Sequence, residues 1–428
     1  MTVTADPRPM RGIAAMAVVA LLSFVLVACE NDGSDAQQGA AASTSALPAS
    51  SAGSPDPALA NKIRAFVEQT IDEQHLRAVI VEVTKSREPV ISAAFGETMS
   101  GVPATVDMHF RNGAVAISYV ATVLLQLVDE GTVSLDDKLS TWLPEFPHAD
   151  QVSLGQLARM TSGYPDYVRQ QAMLDALYAD PFHTFTPEEL LAYVKDLPLL
   201  YEPGTNWSYA HTNYVLLGLA IEKITGTPMD QLVQRRVLDP LGLDNTTDPG
   251  NPSIPEPVLH AFTPERRPFL QVPEGTPFIE ESTFWNPSWT ITHGAIQTTD
   301  IADLTASATA IGEGSLLSSE SHQAMVSTDL RGFGSPIEGC PTCFQQSEGY
   351  SYGVRLITTG DWVMQNPMLA GEAAAMAYLA QEQVSIAVAV TYEPEAFDAD
   401  GNARNEADQL FRELGAIVAP DHAPPIKR

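Results

Sequence analysis

One long apolar helix places the strongest constraint on how this chain folds. Residues 109–131 read HFRNGAVAISYVATVLLQLVDEG, and positions 114–130 contain neither Pro nor Gly. The polar residues of this stretch recur at spacings that place them along one face of an α-helix, at Ser118, Thr122, Gln126 and Asp129. Because the rest of the helix surface is apolar, we predict a helix that is buried around most of its circumference.

The flanks of this helix carry a resemblance. FRNG before it and DEG followed by SLDD after it resemble the nucleophile helix of the serine β-lactamase and penicillin-recognising family, in the branch of class C β-lactamases and D-alanyl-D-alanine carboxypeptidases. In that family the helix opens with Ser-x-x-Lys, whose Lys amine takes the proton of the nucleophilic Ser on the same helix face. In the family's register this chain has Ala114 and Ile117 instead. None of its six lysines has Ser or Thr three residues earlier, so the motif is absent from the whole sequence.

Further segments match the family in the same order, over most of residues 57–415. They are LARMTSGYPD at 157–166, YEPGTNWSYAHTNYVLLGLAIEKITG at 201–226 and GAIQTTDIADL at 294–304. The family's Tyr-x-Asn, whose Tyr assists proton transfer and whose Asn binds substrate, has Tyr209 in place but His211 at the third position. The family's His-Thr-Gly or Lys-Thr-Gly strand is best matched by residues 369–371, where Leu369 replaces the cation and Gly371 alone remains.

The resemblance and the spacing of apolar runs predict an α/β (α+β) fold of the serine β-lactamase/transpeptidase type. We expect an antiparallel sheet built from both chain ends and flanked by helices, with a mainly helical region inserted at about 151–323. Predicted strands cover 78–83, 90–95, 353–357, 362–365, 375–379 and 384–391, and predicted helices cover 59–74 and 405–414.

The first 56 residues are predicted to be a targeting signal followed by a flexible tether. Arg8 and Arg11 precede an apolar run, which LVAC then closes, as in a bacterial lipoprotein signal peptide over 1–28 with Cys29 as the lipidated residue. This run is shorter than the roughly 20 apolar residues that span a bilayer. Residues 29–56 are rich in Ala, Ser, Gly and Pro, which predicts a disordered tether. A domain at 57–418 and a tail at 419–428 follow, and we expect a lipid anchor on the outer face of the bacterial cell membrane.

Charge and cysteine content limit the possible partners. The formal net charge of -30 opposes binding to nucleic acid. Apart from Cys29, the chain has only Cys340 and Cys343, which an oxidising compartment would pair in a disulfide. Redox chemistry at this Cys-x-x-Cys is the alternative, although the surrounding residues read as a loop.

Rival catalytic features are weak. GYSYG at 349–353 spells the nucleophile elbow Gly-x-Ser-x-Gly, but a predicted strand follows it where the elbow requires a helix. Ser118 lies one turn below Ala114 without a base three residues on, and a helix Ser usually bonds a backbone carbonyl. The nine histidines are scattered without metal-ligand spacing, so we expect no metal and no cofactor.

These observations favour a catalytically inactive relative of the family. Its cleft would persist as a pocket that binds a neutral ligand or an envelope protein, lined by Ala114, Ile117, Tyr209, His211 and Leu369. The alternative is an active serine hydrolase, a carboxypeptidase, esterase or β-lactamase, with a non-standard nucleophile. A third reading is an envelope scaffold with a closed cleft.

Overall fold

The computed structural model describes residues 56–291, 296–354 and 356–426. The predicted signal peptide, Cys29 and nearly all of the predicted tether lie outside these residues, as do Gly294 and Ala295 at the start of one family-like segment. Thirteen strands occur in the described residues: β1 (Leu76–Lys85), β2 (Glu88–Met99), β3 (Val102–Pro103), β4 (Phe110–Arg111), β5 (Phe262–Thr263), β6 (Glu280–Glu281), β7 (Thr298–Thr299), β8 (Ser351–Tyr352), β9 (Ile357–Thr359), β10 (Trp362–Gln365), β11 (Met368–Leu369), β12 (Glu372–Leu379) and β13 (Val384–Tyr392).

The predicted sheet built from both chain ends is confirmed. Nine strands form one antiparallel sheet in the order β3-β2-β1-β13-β12-β10-β9-β8, with β11 paired to β12. The two chain ends meet where β1 pairs with β13, for example Val79 opposite Val390. Every residue of β12 and β13 is buried, which explains their uninterrupted runs of Ala and Val.

Eleven α-helices surround and extend this sheet in the described residues: α1 (Pro57–Glu73), α2 (Val115–Asp129), α3 (Leu154–Ala158), α4 (Gln171–Ala179), α5 (Pro187–Ala192), α6 (His211–Thr225), α7 (Met229–Val233), α8 (Asp239–Leu241), α9 (Ile301–Glu313), α10 (Ser319–Met325) and α11 (Glu406–Val418). α9 covers one face of the sheet, because a Cβ on its Gly312 would meet the Tyr378 ring of β12. α11 covers the other face, where Trp362 packs edge-on against Phe411.

The buried helix predicted from residues 109–131 is α2. Twelve of its fifteen residues are buried. Its polar stripe is used for internal hydrogen bonds: Gln126 donates to the Arg236 carbonyl, and Asp129 accepts from the backbone and hydroxyl of Ser318. The stripe therefore connects α2 to the residues around α7, α8 and α10 rather than to solvent.

Three sequence-based boundaries differ from the structure. The single strand expected at 353–357 is not formed: β8 ends at Tyr352, β9 begins at Ile357, and between them the Gly353 amide donates to the Leu356 carbonyl. The helical insertion also contains a small ribbon, β5 paired with β6, and its β7 pairs with β4, which precedes α2. Residues assigned to a tail after 418 pack on the domain, since Trp362 donates to the His422 carbonyl at 2.7 Å.

In the described part of the chain, no helix is both long enough and apolar enough to cross a lipid bilayer.

Candidate functional site

The amino end of α2 is closed by apolar groups. Ala114 is the N-cap residue and carries no side-chain capping hydrogen bond, while Ile117 is 1 % exposed and belongs to the core. Gly113 adopts φ +50°, and a Cβ there would lie 2.5 Å from the Cβ of Pro367. Pro367 thus packs against the helix where the family has its nucleophile, and neither a hydroxyl at 114 nor an amine at 117 is available for acyl transfer.

Ser118, the nearest hydroxyl on the same helix face, is fully buried. Its Oγ accepts a hydrogen bond from Nε2 of Gln365 at 2.9 Å, which fixes the end of β10 to α2. The sequence predicted the more usual bond to a backbone carbonyl, and it is Thr122 that makes this bond, to the Ser118 carbonyl. Ser118 therefore has a structural partner and no access to a substrate.

His211 begins α6 and is held by a buried carboxylate. Its Nδ1 lies 3.1 and 3.2 Å from the two carboxylate oxygens of Asp166, which also accepts from the His211 backbone amide. Because a carboxylate accepts, the proton lies on Nδ1 and Nε2 is left as the basic nitrogen. Tyr209, the retained family residue, packs edge-on against the His211 ring with centroids 5.1 Å apart. Asp166 is the last residue of the family-like segment at 157–166. Its pairing with His211 could not be read from the sequence, because it depends on how this segment packs against the start of α6.

The Thr-Ser-Gly turn lies beside this pair. Ser162 is fully buried and donates to the Asn213 side-chain oxygen at 2.5 Å. Asn213 in turn donates to the Ala210 carbonyl. These hydrogen bonds of Ser162 and Asn213 attach the turn to the start of α6, so both side chains have a structural role.

The third family element lies elsewhere than the sequence suggested. Leu369 and Gly371 form the tight connection from β11 to β12, in which Leu369 pairs with Glu372. Gly371 has φ +79°, and a Cβ there would lie 2.3 Å from the Phe262 carbonyl oxygen, so close backbone packing requires Gly. Against the amino end of α2 lies Pro367, two residues before Leu369. The family element is displaced by two residues from the predicted position because residues 366–367 connect β10 to β11, and this short connection has no sequence motif.

A cavity of about 360 Å³ opens beside this connection. Of the five residues that the sequence predicted to line one pocket, only Leu369 contacts it, and Ala114, Ile117, Tyr209 and His211 do not. Trp289 links the two regions, because it lines the cavity and its ring centroid is 6.1 Å from that of His211. The walls are mainly apolar and aromatic, formed by Leu174, Leu177, Trp285, Trp289, Met368 and Leu369.

The cavity also contains three ionisable groups that sequence reasoning did not combine. Burial raises the pKa of Glu372 to about 7, although the nearby Arg111 opposes this effect. Burial likewise raises the pKa of Glu265 to about 7, with a smaller contribution from the negative charge of Glu280. The pKa of Arg111 is lowered, again by burial. In the sequence only the position of Glu372 next to Gly371 pointed to this acid, and its burial could not be read from the sequence.

The rival sites are accounted for. Ser351 of the Gly-x-Ser-x-Gly stretch is fully buried in β8, opposite Thr358, and the next described element is the strand β9. Cys340 and Cys343 form a disulfide within a loop. The backbone of Cys343 pairs with that of Ser208 in an isolated antiparallel β-bridge. In residues 56–291, 296–354 and 356–426, no group of three His, Cys, Asp or Glu side chains could hold a metal ion.

Comparison with known proteins shows the family and the fold. The model of the β-lactamase family matches residues 63–411. The chain belongs to the β-lactamase family. Relatives of this β-lactamase family member include penicillin-binding protein 4 of Amycolatopsis lactamdurans, 33 % identical over 165 residues, and esterase EstB of Burkholderia gladioli, 31 % identical over 198 residues. The matches cover 37 and 43 % of the chain, and the chain spans only 40 and 50 % of the relatives' lengths.

Solved structures share the fold of this family member. D-amino acid amidase of Ochrobactrum anthropi SV3 superposes with a TM-score of 0.69 at 20 % identity, over 85 % of the chain and 99 % of the amidase. A D-stereospecific amidohydrolase from Streptomyces sp. gives 0.67 at 22 % identity, over 86 % and 99 %. At these identities the likeness concerns the serine β-lactamase/transpeptidase-like fold, not the activity.

Proposed function

We propose that this β-lactamase family member is a non-hydrolytic binding protein of the bacterial cell envelope. The observation that carries the proposal is the amino end of α2, where Ala114 and the buried Ile117 occupy the positions of nucleophile and base. Acyl transfer by this family needs both groups, because the hydroxyl is a weak nucleophile until a neighbouring base takes its proton. Pro367 against Gly113 leaves an apolar surface at this point.

The binding role is supported by the cavity beside Leu369. Its volume of about 360 Å³ falls in the range of small-molecule sites, which are apolar clefts with a few polar groups. The ionisable groups here are Arg111, Glu265 and Glu372, and uncharged polar side chains such as Ser282 and Asn286 lie beside them.

Attachment to the outer face of the cell membrane is part of the proposal, and it rests on the signal-like sequence that ends at Cys29. Expression of the full chain in a bacterial host should give a membrane-associated product labelled by a palmitate analogue. Cys29→Ser should abolish labelling, whereas Cys340→Ser should not. Equal labelling of the two variants would refute the anchor.

Hydrolysis is tested with the soluble domain, by turnover of a chromogenic cephalosporin and of p-nitrophenyl butyrate. We expect rates equal to those of buffer, with a working family enzyme measured in parallel. Enzymatic turnover that follows the protein through purification would contradict the proposal.

One observation favours the alternative of an unorthodox hydrolase. Asp166 orients His211 as in the acid–His half of a catalytic triad. A triad also requires a nucleophilic hydroxyl at Nε2 of His211, and the contacts with Asp166 are all made by Nδ1 and the backbone amide. If turnover is detected, loss of activity in both His211→Ala and Asp166→Asn, with retained folding, would assign catalysis to this pair.

A further inference from the structure

Two polar atoms at the cavity lack partners. Among the described residues, Oε2 of Glu372 and Nη1 of Arg111 are buried and make no hydrogen bond. The two residues are 8 % and 4 % exposed, and both line the cavity. The other guanidinium arm of Arg111 donates to the Pro252 carbonyl. A buried polar atom without a partner costs free energy, so a ligand that supplies one is bound more strongly.

The ionisable side chains around the cavity carry more negative than positive charge. Arg111 is attracted by both Glu372 and Asp248, and Asp248 shares a small adjoining cavity with Arg111. Glu265 adds a third carboxyl group at the main cavity. The neighbouring Arg266 does not balance it, because Arg266 pairs with Glu280 at 2.9 Å. The chain as a whole is also strongly acidic, with a formal net charge of -30, so an anion is repelled and a cation attracted.

The apolar walls complete the site. Trp285 is 7 % exposed and Leu177 is 5 % exposed, so both are already fixed by packing. Trp289 presents a second indole to the cavity. An aromatic face attracts a positive charge as well as an apolar body, and the guanidinium of Arg266 already lies 6.0 Å from the Trp285 ring centroid, so Trp285 serves here as an apolar wall. Exposed apolar side chains continue outward, because Met368 lines the cavity and Phe269 packs against Tyr178, which also lines it.

We propose that this cavity binds a small organic cation, an amine whose ammonium group contacts Glu372 and Glu265 and whose apolar body lies against Trp285 and Trp289. The assignment rests on the proposed binding function and names its ligand class. The ammonium supplies the donor that Oε2 of Glu372 lacks and neutralises the excess negative charge.

The site predicts a defined pH dependence. Burial raises the pKa of both Glu265 and Glu372 to about 7, so both carboxyl groups are charged at pH 8 and largely neutral at pH 6. The charged and titratable groups that face them are Arg111 beside Glu372, with Asp248 beside Arg111, and Glu280 and Tyr178 beside Glu265. If one carboxylate must be ionised, affinity for an amine falls about tenfold from pH 8 to pH 6, and binding at pH 7 releases about half a proton.

The test uses three isosteric probes in isothermal titration calorimetry: 3-phenylpropylamine, 3-phenylpropan-1-ol and 3-phenylpropanoate. We expect the amine to bind at least tenfold more tightly than the alcohol, and the carboxylate to bind weakest. Glu372→Gln and Glu265→Gln should each weaken amine binding about tenfold and reduce the proton release measured in buffers of different ionisation enthalpy. Glu188→Gln removes an exposed acid outside the cavity and should change neither quantity.

Equal affinity for the three probes, preference for the carboxylate, or no amine binding up to 10 mM would overturn the assignment. Unchanged amine affinity in both cavity variants would overturn it as well, and circular dichroism confirms that the variants are folded. None of the probes contains a bond that a serine hydrolase cleaves. A negative result here therefore leaves the absence of hydrolysis untouched, and detected turnover leaves the amine assignment to be judged on these titrations.

Discussion

Replacement of Glu372 by Gln tests the electrostatics of the cavity through stability. Burial raises the pKa of this carboxyl group from an ordinary value of 4.5 to about 7. Because the folded-state pKa is the higher one, the favourable contribution of the protonated group is fully present below about pH 4.5. It is lost as the pH rises towards 7. A difference of about 2.5 in pKa corresponds to about 3 kcal/mol of unfolding free energy.

Glu372→Gln removes the ionisation but keeps the shape of the side chain. Between pH 5 and pH 8 we expect the unfolding free energy of the variant to rise by about 2.5 kcal/mol relative to that of the wild type. Urea denaturation at the two pH values gives this double difference, in which the titration of Glu265 cancels. Glu188→Gln, at an exposed position, should follow the wild type. Identical pH dependence in Glu372→Gln and wild type would refute the buried, under-compensated carboxylate.

Three further substitutions probe the site's surroundings. Gly371→Ala should lower the unfolding free energy, measured by thermal denaturation, by about 3 kcal/mol or more, because the new Cβ would meet a backbone oxygen. The control Gly101→Ala is also at positive φ but has open space around it, so it should cost only about 1 kcal/mol. Ser118→Ala removes the hydrogen bond from Gln365 and should cost about 1 kcal/mol without changing probe binding, and a larger binding effect would contradict a purely structural role. Ile117→Lys buries an ammonium in the core and should destabilise by about 3 kcal/mol or more in urea, so full stability would show that position 117 faces the cleft.

The sheet and the central helix could be predicted because their signals are local and repeated. The polar spacing on α2 and the apolar runs of β1, β12 and β13 each follow one structural period. The resemblance supplied their order. The pairing of β1 with β13 then follows from an arrangement common to the family rather than from either strand alone.

The site was less predictable, since it depends on contacts between distant segments. Ala114 and Ile117 could be identified from the sequence because they lie in a helix with clear flanks. The position of Pro367 against Gly113 could not, because the turn after β10 carries no motif. The burial of Glu372 and the orientation of His211 by Asp166 are likewise tertiary properties, set by residues more than forty positions away or on other elements.

The central claim is that no side chain of this domain forms an acyl-enzyme. Intact-mass spectrometry tests it most directly, after incubation of the soluble domain with a β-lactam and, separately, with a fluorophosphonate, beside a working family enzyme. We predict an unchanged mass with both reagents while the control enzyme is labelled. A stoichiometric adduct that peptide mapping places on one Ser would contradict the account and identify the nucleophile.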